Sequence, residues 1–129
     1  VRVRVDVSAG ELIDRITILQ IKARQLPRAR RDDIKRELAA ARSTRDRFIL
    51  SSKKLITLTR ALETVNRRLW DVEEALRACE RTGRFGPRFV ALARAVYKTN
   101  DRRAALKREV DQLLGSEICE HKSHRLPSI

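Results

Sequence analysis

The feature that most constrains this chain is a pair of apolar stripes separated by a single turn. Leu55, Leu58, Leu62, Val65, Leu69, Val72, Leu76 and Cys79 advance in alternating steps of three and four residues. After Thr82-Gly83-Arg84-Phe85-Gly86-Pro87, the positions Phe89, Leu92, Val96, Thr99, Arg103, Leu106, Val110 and Leu113 repeat that stepping. A repeat averaging about 3.5 residues holds one stripe to one helix face, as packing against a partner at a shallow angle requires. Limbs of near-equal length, joined by a turn with Gly and Pro, predict an antiparallel helical hairpin over about 52–80 and 87–114. Each limb would be roughly 42 Å long.

The rest of the chain is placed around that hairpin. Ser8-Ala9-Gly10-Glu11 reads as a capping box, in which Ser8 accepts from the third amide and Glu11 reaches back to the cap. It opens a helix over about 8–25 whose Leu12, Ile16 and Leu19 face is widened by Ile13, Ile18 and Ile21, so burial on more than one side is expected. Leu26-Pro27 ends it. A second helix over about 28–48 carries a thinner stripe of Ile34, Leu38, Ala41 and Phe48, with Asp32 and Asp33 near its N-terminus, where the helix dipole favours acids. Ser51-Ser52 can cap the third helix, and a continuous helix from 30 to 80 is the alternative. These first two helices would be nearer 30 Å, so the hairpin should project beyond them. Residues 1–7, Val-Arg-Val-Arg-Val-Asp-Val, alternate strictly and predict a short β-strand. It must lie on the helices, pair with Ile118-Cys119, or pair with another copy in a homodimer. After Gly115 an irregular tail over 115–129 is expected. The fold class is therefore all-α: an antiparallel bundle on a long hairpin, with an N-terminal strand, in one domain spanning 1–129.

Charge needs locating before it is interpreted. The net +13 is not a tail: residues 22–54 hold twelve basic and four acidic side chains, and 81–129 hold eleven and five. Of the 30 basic residues seven are Lys, a bias that a high-GC genome produces as readily as a phosphate-binding surface. Arg28, Arg30, Arg31, Lys35, Arg36 and Arg42 form the basic surface from which nucleic-acid binding would be built. No aromatic residues interleave with them for stacking, and no helix-turn-helix is evident. No apolar run reaches the roughly 20 residues that span a bilayer, and the start lacks a secretory apolar core, which reads as cytoplasmic. Cys79 falls on a stripe as a small hydrophobe, and no disulfide framework is expected.

Polar residues interrupt the stripes. Asp14 and Thr17 do so on the first helix, and Thr99 and Arg103 on the fourth, where Asn100, Arg103 and Lys107 line one edge. Asn66, Trp70, Glu73 and Arg77 form a ridge on the third helix, with Asp71 beside the Trp. One reading is an interhelical polar layer in which Arg103 finds Asp14, Asp71 or Glu73 and fixes register. The other is a pocket for an anionic or sugar-like ligand, walled by Trp70 or Tyr97, with Asn100 and Arg103 as donors. Cys119, Glu120, His121 and His124 lack the spaced pairs of a zinc site. No phosphate loop, metalloprotease motif or Ser/His/Asp set is present. No catalytic residue, metal or cofactor is expected, and a protein partner is.

The stretches Val7 to Leu19, Leu69-Trp70-Asp71-Val72-Glu73, Leu92 to Lys107 and Gly115-Ser116 resemble a bacterial family known as a domain of unknown function. Glu120-His121-Lys122-Ser123 looks like that family's ending, with His121 where an acid is expected. The resemblance implies a small, cytoplasmic, helical protein, encoded beside or fused to glycosyltransferases of bacterial surface-polysaccharide pathways. It carries over no activity and no catalytic residues. The function expected is that of a non-enzymatic accessory protein acting through the surface that joins the first, third and fourth helices. Nucleic-acid binding by residues 22–54 is the alternative, and sugar-nucleotide or sugar-phosphate binding at the polar layer a further one.

Overall fold

The computed structural model describes residues 1–115, which form four helices: α1 (Ala9–Gln25), α2 (Arg28–Phe48), α3 (Lys53–Thr82) and α4 (Pro87–Leu114). Each boundary has a local cause. Ser8 Oγ accepts from the Glu11 N–H at 3.1 Å and starts α1. Leu26, extended ahead of Pro27, ends it. Ile49 and Ser52 are both extended, so a continuous helix from 30 to 80 does not form. Ser52 Oγ then caps α3 by accepting from the Leu55 N–H at 3.1 Å. Gly83, at φ 67°, closes α3 in the left-handed conformation that a Cβ disfavours, while the Arg84 N–H donates to the Cys79 carbonyl at 2.9 Å. Pro87 opens α4, where its missing N–H costs nothing.

α3 and α4 pair along the hairpin, α1 packs on both, and α2 packs on α1. The core accordingly has two parts with α1 between them. Ile13 meets Leu55, Leu62, Leu106 and Val110 on the hairpin side. Ile16 and Leu19 meet Leu38 and Ala41 of α2 on the other. This is why α1 has a face too wide for a single contact. Leu62 and Val110 are fully enclosed, and such side chains each contribute about 1.5–3 kcal/mol by leaving water. At 30 residues against 17, α3 is roughly 45 Å long and α1 roughly 26 Å, so the hairpin outruns the helix laid on it.

Three expectations are corrected. Residues 1–7 form no strand: among the described residues no backbone hydrogen bond joins them to another segment, and a lone extended stretch has no ladder to enter. Val1, Val3, Val5 and Val7 are all exposed. Pairing with Ile118-Cys119 lies outside the described residues. Phe48 is not part of the buried α2 stripe; it is 75% exposed at the end of α2, with the Arg47 guanidinium 5.4 Å from its ring centre. Asp32 and Asp33 fall beyond the first turn of α2, and Asp33 pairs with Arg36 instead.

Candidate functional site

The polar interruptions of α1, α3 and α4 meet at one buried junction. Asp14 and Thr17 are fully enclosed, Asn66 and Lys107 nearly so, and Arg103 retains about a quarter of its side-chain exposure (27%). Asp14 Oδ1 accepts from Asn66 Nδ2 at 2.8 Å and from Arg103 Nε at 2.9 Å. Asp14 Oδ2 accepts from the second arm of the Arg103 fork, and Lys107 Nζ stands 3.9 Å from it. Thr17 Oγ1 accepts from Asn66 Nδ2 at 2.8 Å and donates to the Asp14 carbonyl at 2.7 Å. Lys107 Nζ also meets Glu11 Oε2 at 2.6 Å, so the Glu11 side chain engages α4 where the capping box had it reach back to Ser8. Of the three acids open to it, Arg103 takes Asp14, and one buried carboxylate thereby joins three helices.

A second contact ties α1 to α4 one turn away. The Gly10 N–H donates to Asp111 Oδ1 at 2.6 Å, and Asp111 is fully buried. Gly10 has no room for a side chain: a Cβ there would lie 2.8 Å from Asp111 Oδ1 and nearer still to the Lys107 carbonyl oxygen. Asp111 Oδ2 is buried with no hydrogen-bond partner among the described residues. The sequence does hold a signal for Asp111, since continuing Arg103 and Lys107 by another four residues reaches it.

The remaining pocket candidates are not drawn into this cluster. Trp70 and Asn100 are half-buried, Tyr97 is 53% exposed, and Asp71 and Glu73 are exposed. Among the described residues no hydrogen bond, ion pair or ring contact joins any of them to Asp14 or Arg103. The basic set on α2 is also divided. Arg28, Arg31, Lys35 and Arg42 share one side by helical spacing, while Arg30 and Arg36 point elsewhere. Arg31 Nε donates to the Leu26 carbonyl at 3.0 Å, and Arg36 is held by Asp33. With the Gln20 amide oriented by its neighbours, its nitrogen donates to Glu63 and its oxygen accepts from Arg42, both at 2.9 Å.

One end of the molecule is apolar and open. Val5 and Val7 form one wall of a cleft of about 650 Å³ whose other wall includes Phe48, Ile49, Leu50 and Leu114. Leu50 is 88% exposed. Among the described residues no three potential metal ligands cluster, and no helix is long and apolar enough to cross a membrane. The group Cys119-Glu120-His121-His124 lies outside the described residues.

A family model described as Family of unknown function (DUF6165) matches residues 3–128, and the chain belongs to that family. No curated protein and no solved structure matches.

Proposed function

We propose that this member of the family is a non-enzymatic interaction protein that docks through its open apolar end, and that its docking partner is a second copy of itself. The observation that carries this reading is the exposure of four alternating valines, two of which, Val5 and Val7, line one cleft with Phe48 and Leu50. Exposed apolar patches rimmed by polar residues mark interaction sites. Two copies of residues 1–7 laid antiparallel about Arg4 set Val1 against Val7, Val3 against Val5 and Arg2 against Asp6 twice, which offsets the one like-charge pair of Arg4 with its own copy. A second copy supplies the ladder that the isolated segment lacks, and its valines fill the cleft. In this reading the Asp14–Arg103 junction holds the helices in register, a role supported by Asp14 receiving donors from both α3 and α4. The chain then acts as one domain over 1–129.

The neighbouring readings draw less support. Arg103 has two guanidinium nitrogens committed to Asp14, and Trp70 and Tyr97 make no wall around it, which disfavours a sugar-phosphate pocket there. Two of the six α2 cations lie off the side that the other four share, and Arg31, Arg36 and Arg42 are engaged by neighbours, which disfavours the six as one nucleic-acid surface. The link to bacterial surface-glycan assembly in the cytoplasm rests on the association that the sequence motifs imply. It is tested by deleting the gene and analysing the surface polysaccharide, where an unchanged glycan contradicts it.

Sedimentation equilibrium tests the docking. The intact chain should form a concentration-dependent dimer, and Val3→Lys with Val5→Lys should be monomeric with unchanged helicity. A strict monomer at about millimolar concentration, weaker than any specific pairing of use, would overturn the proposal.

A further inference from the structure

Away from the apolar end, the flank of the hairpin holds four cations around one groove of about 510 Å³. Arg94, Lys98 and Arg102 follow one another at four-residue spacing along α4, and Arg68 faces them from α3. The three α4 side chains are thereby set roughly 6 Å apart along a single edge. Between the walls the floor is low, made by Ala91, Ala95 and the largely buried Thr99. No carboxylate lines the groove, and among the described residues none of the four cations takes part in an ion pair.

Most other cations among the described residues also make no ion pair, so what sets these four apart is that they share one concavity without a carboxylate; six elsewhere are paired. Arg15, Arg36, Arg45, Arg77, Arg103 and Lys107 each meet a carboxylate. Four uncompensated like charges facing one concavity repel each other, and a multivalent anion relieves that repulsion while gaining charge-assisted hydrogen bonds. The size of the groove is that of a small-molecule site. No aromatic side chain lines it, so nothing is provided for stacking a base. Two linked phosphate groups carry roughly three to four negative charges on monoester values, which matches the four cations.

We propose that Arg68, Arg94, Lys98 and Arg102 form a binding site for a diphosphate group, with the small floor residues admitting it against α4. The arginines can grip phosphate oxygens with paired N–H donors, and Lys98 adds a point charge between Arg94 and Arg102. This site is separate from the Asp14–Arg103 junction and from the α2 basic surface, and it does not depend on the docking at the apolar end.

Calorimetric titration of the full chain with inorganic pyrophosphate at about 0.15 M salt, where exposed charges are screened beyond roughly 8 Å, tests it. One pyrophosphate should bind per chain, more tightly than orthophosphate, and Arg94→Glu or Arg102→Glu should weaken binding by about tenfold or more. Arg94→Lys, which keeps the charge but loses the paired donors, should weaken binding less than Arg94→Glu. Arg28→Glu with Lys35→Glu, the same kind of change on α2, should leave it unaltered. All these side chains are exposed, so far-UV circular dichroism should be unchanged. Absence of pyrophosphate binding at that salt overturns the proposal. So does equal loss on reversing the α2 cations, or a preference for duplex DNA that both sets of reversals abolish, because either result makes the groove one part of a general basic surface.

Discussion

Replacing Gly10 by Ala sets two effects of opposite sign against each other. In the interior of an ordinary helix the change stabilises by about 0.5–1 kcal/mol, because Ala has less backbone freedom to lose. Here the added Cβ would stand 2.8 Å from Asp111 Oδ1 and 3.0 Å from the Lys107 carbonyl carbon, with the Lys107 oxygen closer still. Favourable carbon contacts lie near 3.5–4.0 Å, so α1 must move off α4 by roughly half an ångström or more. The neighbour is helical backbone, which gives way poorly, and overpacking of this kind costs about 1–3 kcal/mol. The same movement stretches the 2.6 Å bond from the Gly10 N–H to a buried carboxylate, a class of bond worth about 1.5–3 kcal/mol. Partial loss of that bond and the overpacking together outweigh the propensity gain, leaving a net destabilisation of about 2–4 kcal/mol. For a chain of 129 residues this lowers the melting temperature by roughly 7–15 °C. Urea unfolding followed at 222 nm gives the free energy directly. A Gly10→Ala protein as stable as the parent, or more so, would refute the close approach of α1 to α4 on which the junction depends.

Other outcomes follow from the same structure. Asp14→Leu leaves Arg103 and Lys107 without their buried acid and should cost about 3–5 kcal/mol, whereas Asp14→Leu with Arg103→Leu should recover part of it. A double-mutant cycle with no coupling between the two positions would contradict the pairing. Gly83→Ala places a Cβ at φ 67° and should destabilise by about 1–2 kcal/mol with no steric contribution, since no atom lies within 4 Å; denaturant midpoints check this, and a neutral result contradicts the left-handed cap. Ser52→Ala removes the acceptor for the Leu55 N–H and should cost about 1 kcal/mol, read in the same unfolding assay.

The helices were legible because their causes are local. The three-and-four stepping of Leu55 to Cys79, the Gly83 and Pro87 punctuation, and the Ser8 and Ser52 caps depend on neighbours a few residues away. The double burial of α1 was likewise visible in the width of its apolar face. What could not be read is whatever depends on a partner distant in sequence. Alternation in residues 1–7 specifies a strand only if a second strand is at hand, and among the described residues none is. Phe48 keeps helical phase with Leu38 and Ala41, yet α1 does not cover it. Trp70, Tyr97 and Asn100 share elements with Asn66 and Arg103, but phase alone did not decide that Asp14 would gather the latter and leave the former. Gly10 looked like one member of a capping box, and only the approach of α4 shows why a side chain is excluded there.

The docking of one copy on another is tested most directly by its register. In the antiparallel arrangement the two-fold axis passes beside Arg4, so the two copies of that residue oppose each other at about 4.5–5.5 Å between Cα atoms, within reach of a disulfide. The two copies of Arg2 would be roughly 13 Å apart. In a Cys119→Ser background, Arg4→Cys should form a covalent dimer rapidly under mild oxidation, and Arg2→Cys should not. No crosslink at position 4, or equal yields at both positions, would contradict the account.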